Sequence, residues 1–111
     1  MDKLEIYRQA IEKVLSDYAR YKPSHGEIEM LRICDRESDR YLLMGVGWDN
    51  TGRVHDVVLH LRIRGDKIWI EWDGTGEGVT QELLDLGVMQ DDIVLGFYRP
   101  ENRALTGFAI A

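Results

Sequence analysis

The chain has 111 residues, 44% hydrophobic and 31% charged, with a formal net charge of −6. That length forms one domain able to bury roughly two-thirds of its unfolded surface without covalent staples. A single cysteine, Cys34, excludes a disulfide framework or a multi-thiol metal site within one chain and is expected as a small buried hydrophobe. With 20 acidic against 14 basic residues, independent DNA binding is disfavoured, because that affinity needs a basic surface to displace phosphate counterions; an acidic partner surface is the expectation. No apolar run approaches the roughly 18 residues of a membrane span, and MDKLEIYRQA is not a signal sequence, so the expected compartment is the reducing cytoplasm, with no membrane partner.

Residues 2–21 form an amphipathic helix in this reading. Asp2 caps it, with Glu5 three residues on. Leu4, Tyr7, Ile11, Val14, Leu15 and Tyr18 recur at three- and four-residue steps and form one apolar stripe. That spacing makes Tyr7 and Tyr18 core residues rather than part of a stacking platform with Tyr21. Proline at position 23 restricts Lys22, so Lys22 to Gly26 ends the helix.

Glu27 to Asp35 reads as a strand, followed by a charged turn, Arg36 to Asp39. Tyr41 to Asp73 then reads as three consecutive antiparallel strands. Gly65-Asp66 suits a two-residue type II′ turn, which sets Arg64 against Lys67, Ile63 against Ile68, Leu61 against Ile70 and Leu59 against Trp72. The other face then pairs Arg62 with Trp69 and His60 with Glu71. Ahead of it, a four-residue loop, Asn50 to Arg53, would turn Leu42, Met44, Val46 and Trp48 inward. A three-residue loop with Gly52 left-handed would turn Tyr41, Leu43 and Gly45 inward instead; the first is preferred because it buries the larger side chains. Gly45 and Gly47 would admit close approach of the helix or another backbone.

Asp73 to Gly78 (DGTGEG) reads as a flexible loop. Thr80 caps a short helix through Leu86, which Gly87 and Val88 close in a Schellman ending. Met89 to Asp92 turns the chain into an apolar segment, Ile93 to Tyr98, which is expected to dock. Arg99 to Arg103 is a polar loop, and Leu105 to Ala111 is too apolar to dangle. The fold class is therefore α+β: a long N-terminal helix packed on an antiparallel sheet of about four strands, plus a short helix in the C-terminal half.

No catalytic or metal-binding motif emerges. The glycines of DGTGEG match neither dinucleotide nor Walker loops, no lysine follows, and Asp73 and Glu77 repel phosphate. His25, His55 and His60 lack metal-pair spacing, and Asp49 to Gly52 lacks the alternating ligands of a calcium loop. His60 with Glu71 could act as a base and its orienting group in a small hydrolase or nuclease accessory, although a surface pair is the ordinary reading. The polar sheet face of His60, Arg62, Arg64, Lys67, Trp69 and Glu71 is the candidate interaction surface, with Arg62 stacked on Trp69. It is either covered by a helix or exposed. If exposed, it suits a protein partner, or, failing that, direct DNA contact through Arg62, Arg64 and Lys67. The first strand is also an edge able to pair with a second copy, so a homodimer is possible.

YKPSHGEIE (Tyr21 to Glu29), GWDN (Gly47 to Asn50), RVHDVVLHLRI (Arg53 to Ile63), KIWI (Lys67 to Ile70), LGV followed by DDIVLGFYRP (Leu86 to Pro100), and the FAIA terminus together resemble the XisI family. The similarity runs from the first helix to the last residue; DGTGEG departs from it in being more glycine-rich. The resemblance implies a non-catalytic controlling factor for excision of the fdxN element, a DNA element removed during heterocyst differentiation in filamentous cyanobacteria. It implies an XisH-type, nuclease-like protein partner and only indirect association with DNA, through a recombinase. It implies no cofactor and carries over no catalytic residue.

Overall fold

A computed structural model describes residues 2–20 and 27–111. Helix α1 (Lys3–Ala19) starts as the capping pattern requires: Asp2 is extended, and its carboxylate accepts the Glu5 N–H at 2.8 Å. The helix buries Tyr7, Ala10, Ile11, Val14 and Leu15, while Leu4 and Tyr18 are half-buried at the edges of the stripe. The expected helix ending at Lys22 to Gly26, with Tyr21 and His25, lies outside the described residues.

Strands β1 (Glu27–Asp35), β2 (Arg40–Asp49), β3 (Gly52–Arg64) and β4 (Lys67–Asp73) form an antiparallel meander. A fifth strand, β5 (Ile93–Leu95), follows β4 in the order β1-β2-β3-β4-β5 and pairs with it in parallel, so the sheet is mixed rather than purely antiparallel. The reason is the connection. Between β4 and β5 lies α2 (Thr80–Asp85), a crossover that returns the docked segment in the direction of β4.

The β3–β4 hairpin keeps its two-residue loop and its pairs Arg64/Lys67, Ile63/Ile68, Arg62/Trp69 and Leu61/Ile70. Gly65 and Asp66 both have positive φ, 58° and 64°, which belongs to a type I′ turn rather than the expected II′. Beyond Leu61 the register shifts, so His60 pairs with Trp72 and Leu59 with Asp73. Glu71 is thus the extra residue of a bulge, and the expected His60/Glu71 and Leu59/Trp72 pairs do not form.

The β2–β3 connection is tighter than expected. Asp49 pairs with Gly52, and its carboxylate accepts the Thr51 N–H at 2.8 Å, leaving a two-residue loop, Asn50-Thr51. A second bulge, at Val58, then shifts the register between Leu43 and Met44. Tyr41, Leu43 and Gly45 consequently face α1, with Leu59, Leu61, Ile68 and Ile70 beside them in the core. Leu42, Met44, Val46 and Trp48 lie on the outer face instead, and Trp48 is 59% exposed. At Gly47, a Cβ would sit 1.9 Å from the Glu27 carbonyl oxygen; the close approach is that of β1 itself.

The loop after β4 is bound rather than flexible. One Asp73 oxygen accepts the Thr75 N–H at 3.0 Å and the other accepts the Val79 N–H at 2.9 Å. Asp73 therefore does at the start of α2 what Thr80 was expected to do; Val79, at the cap position, makes no side-chain cap. The ending is as expected: Gly87 has φ 99°, its N–H donates to Leu84, and Val88, buried, donates to Leu83. The polar loop at Arg99 forms a 3-10 turn, Pro100–Leu105. The tail then packs through Phe108 against the core and through Ala109, which bonds the Ile93 carbonyl at 2.9 Å, whereas Leu105 is 87% exposed.

Candidate interaction surface

The side chains opposite α1 form the outer face of the sheet. At the β3–β4 end of that face the structure brings Arg62, Arg64, Lys67, Trp69 and Glu71 together, but not as the sequence suggested. Trp69 is only 8% exposed. Two guanidinium groups lie over its ring, that of Arg64 at 4.8 Å from the centroid and that of Arg103 at 5.2 Å. Arg62 does not stack on it. Arg62 instead pairs with Glu71 at 3.0 Å, on the face where alternation from Trp69 already puts that carboxylate; the residue the bulge turns outward is Trp72. Nor does a helix cover the face among the described residues; the C-terminal segment covers only its β4–β5 end.

Arg103 is the residue that sequence reasoning missed. Its guanidinium donates to the carbonyls of Tyr98 at 3.1 Å, Gly96 at 3.3 Å and Ile110 at 3.5 Å, while its plane lies on Trp69. It pins the tail to the sheet. Nothing local in the sequence connects it to a tryptophan in β4, on the far side of α2 and β5 along the chain. Gly96, just after β5, belongs to the same arrangement: a Cβ there would lie 2.2 Å from a Glu71 carboxylate oxygen, so any side chain at this position would displace that carboxylate.

His60 sits half-buried between Leu42 and Trp72 in the register. Burial pulls its pKa below the ordinary value, outweighing the opposite pull of Glu71. Glu71 is committed to Arg62, so the pair required for base catalysis is not assembled. Among the described residues, one cleft is lined by Tyr18, Met30, Val58 and Thr75 and another by Leu95, Tyr98, Asn102 and Leu105; neither of these contains His60 or Glu71. Among the described residues, no three His, Cys, Asp or Glu side chains converge as metal ligands, and no helix is long and apolar enough to cross a membrane.

The arrangement is that of a small α+β protein in which one helix backs a five-stranded sheet and much of the opposite face stays open. The chain belongs to the XisI family, whose model, described as XisI protein, matches residues 1–110. It is similar to two solved structures from Anabaena variabilis ATCC 29413. One is an fdxN element excision controlling factor XisI, 40% identical, with a TM-score of 0.84 over 99% of this chain and 100% of the other. The second is an XisI-like protein, 33% identical, with a TM-score of 0.88 and the same coverage, 99% and 100%. A search of the curated proteins finds no match.

Proposed function

We propose that this protein is a non-catalytic controlling factor in excision of a DNA element of the fdxN type, acting in the cytoplasm by association with an XisH-type, nuclease-like protein. The observation that carries this reading is the full-length similarity, at 40% identity, to a protein described as an excision controlling factor. The separation of His60 from Glu71 in the register supports a role without catalysis. The surface offered to the partner is the β3–β4 end of the outer face. There Arg64 and Lys67 flank the hairpin, Trp69 supports them from beneath, and Arg62, Glu71 and His60 continue the patch inward. Contact with DNA is indirect, through the partner and the recombinase it serves, in keeping with a net charge of −6.

Co-expression with the XisH-type protein encoded nearest to the gene tests the reading. A stoichiometric complex is expected, weakened about tenfold or more by Arg64→Glu combined with Lys67→Glu. Absence of any complex would overturn it. A salt-dependent affinity of this protein alone for duplex DNA would replace it with direct binding through Arg62, Arg64 and Lys67.

A further inference from the structure

The outer face has a second region, distinct from the arginine-flanked tryptophan, across β1, β2, β3 and the end of β4. Its cross-strand rows can be read from the register. Glu27, Trp48 and Arg53 share one row, and Glu29, Val46 and His55 the next. Leu31, Met44 and Val57 form the third, and Ile33, Leu42, His60 and Trp72 the fourth. The inner rows are apolar and open: Ile33 is 46% exposed, Val57 38% and Trp72 55%. Among the described residues, no element covers them.

The outermost row carries opposite charges in a fixed order, Glu27 on β1 and Arg53 on β3 with Trp48 between them, and the next row sets Glu29 on β1 and the hydrogen-bonding imidazole of His55 on β3 either side of Val46. Within one sheet those acidic and basic groups are two strand spacings apart, ~10 Å, too far to pair directly. Arg53 instead lies over the ring of Trp48, 5.4 Å from its centroid. We propose that this face is the interface of a homodimer, in which two copies stack sheet on sheet about a two-fold axis running along β2. That axis lays β1 of one copy over β3 of the other without changing row. Glu27 then meets the Arg53 of the second copy, Glu29 meets its His55, and Met44 and Trp48 pack against their own counterparts. A pattern that is acidic, apolar, basic across three strands is complementary to itself under this one operation, which is what an isologous interface needs.

The operation overlaps three strands, β1 to β3, over about seven residues each; at ~4.8 Å and ~3.3 Å spacing that is roughly 330 Å² of flat sheet per copy, about 670 Å² in the pair before side-chain relief is counted. The dimer is therefore a small interface, held by its charge order and its apolar rows rather than by area. Aligned sheets packed ~10 Å apart make the same kind of contact inside β-sandwiches. The dimer face meets the proposed partner surface only at His60; Arg64, Lys67 and Trp69 lie at the other end of the sheet.

Sedimentation velocity on the full chain at micromolar concentration provides the first readout. The expected species has twice the 12.9 kDa of one chain. Met44→Glu, at the centre of the face, should give a monomer with an unchanged far-UV circular dichroism spectrum. The second readout does not depend on weakening the fold. In a Cys34→Ser background, Trp48→Cys places the new thiol next to the two-fold axis, and a short bismaleimide, which spans the gap between sheets ~10 Å apart, should link two copies. Ser16→Cys, on α1, should not. A wild-type chain that sediments as a monomer overturns the proposal, as does a Met44→Glu variant that remains dimeric or a Trp48→Cys variant that does not cross-link.

Discussion

Asp39 shows how much one side chain can organise here. It adopts a left-handed backbone, φ 53°, uncommon for a residue with a Cβ, at the end of the β1–β2 turn. Its carboxylate accepts from Arg8 Nε at 2.8 Å, Arg8 Nη2 at 3.1 Å and the Tyr41 hydroxyl at 3.0 Å, and its carbonyl accepts the Ile63 N–H at 3.0 Å. One residue thereby ties α1 to β2 and β3. The hydrogen bonds from Arg8 hold its carboxyl below the usual carboxylate range, while burial pushes the Tyr41 phenol up. A carboxylate with a depressed folded pKa contributes stability that is present above its unfolded value of ~3.9 and lost as pH falls through the folded value. Asp39→Ala should cost about 2–3 kcal/mol in urea unfolding at neutral pH, because it leaves a half-buried arginine and a buried phenol unpaired. Asp39→Asn should cost less and should flatten the acid limb of the stability profile below about pH 4.

Among the elements, the β3–β4 hairpin was readable because two signals agreed: a Gly-Asp pair at the turn and strict alternation on both sides. The β2–β3 hairpin was not, because its parity depends on the bulge at Val58, an extra residue that alternation alone does not announce. The same limit applies to the candidate surface. The placing of Arg62, Arg64, Lys67 and Trp69 on one face follows from the register. The partner of each does not: a bulge takes Glu71 out of its expected pairing with His60, leaving it bonded to Arg62, and a distant turn brings Arg103 to Trp69. The glycines give a test at this scale. Gly47→Ala would drive a methyl group into the β1 backbone at φ 154°, and should lower the thermal midpoint by roughly 10 °C or more. Gly52→Ala meets no atom within 4 Å, so at φ 123° it should cost only backbone strain, about 1–2 kcal/mol.

At the scale of the whole molecule, the core draws on both halves of the chain. Tyr7, Ile11 and Leu15 of α1 pack in one cluster with Leu83, Val88 and Ile93. The halves are joined differently. The meander from β1 to β4 is built from neighbouring pairs, whereas β5 contributes three residue pairs and closes a long crossover. Native-state hydrogen exchange should therefore resolve two levels of protection. The Ile93 to Gly96 amides should exchange through a partial opening at lower free energy than the amides of Leu43, Leu59 and Leu61, which should need global unfolding. Equal free energies at both sets would show a single cooperative unit instead.

The parallel strand has a consequence for the growing polypeptide. Synthesis delivers α1 and the four meander strands first, with their local pairings available at once. Throughout that interval the β4 edge has no neighbour, and the apolar groups later covered by α2 and β5 meet water. The segment that follows supplies both the missing strand and, in Arg103, the group that fastens it over Trp69. The newly made chain thus carries an unpaired strand edge until β5 and Arg103 emerge, and Lys67, at the start of β4, is the one charge on that strand's leading end to discourage wrong pairings meanwhile.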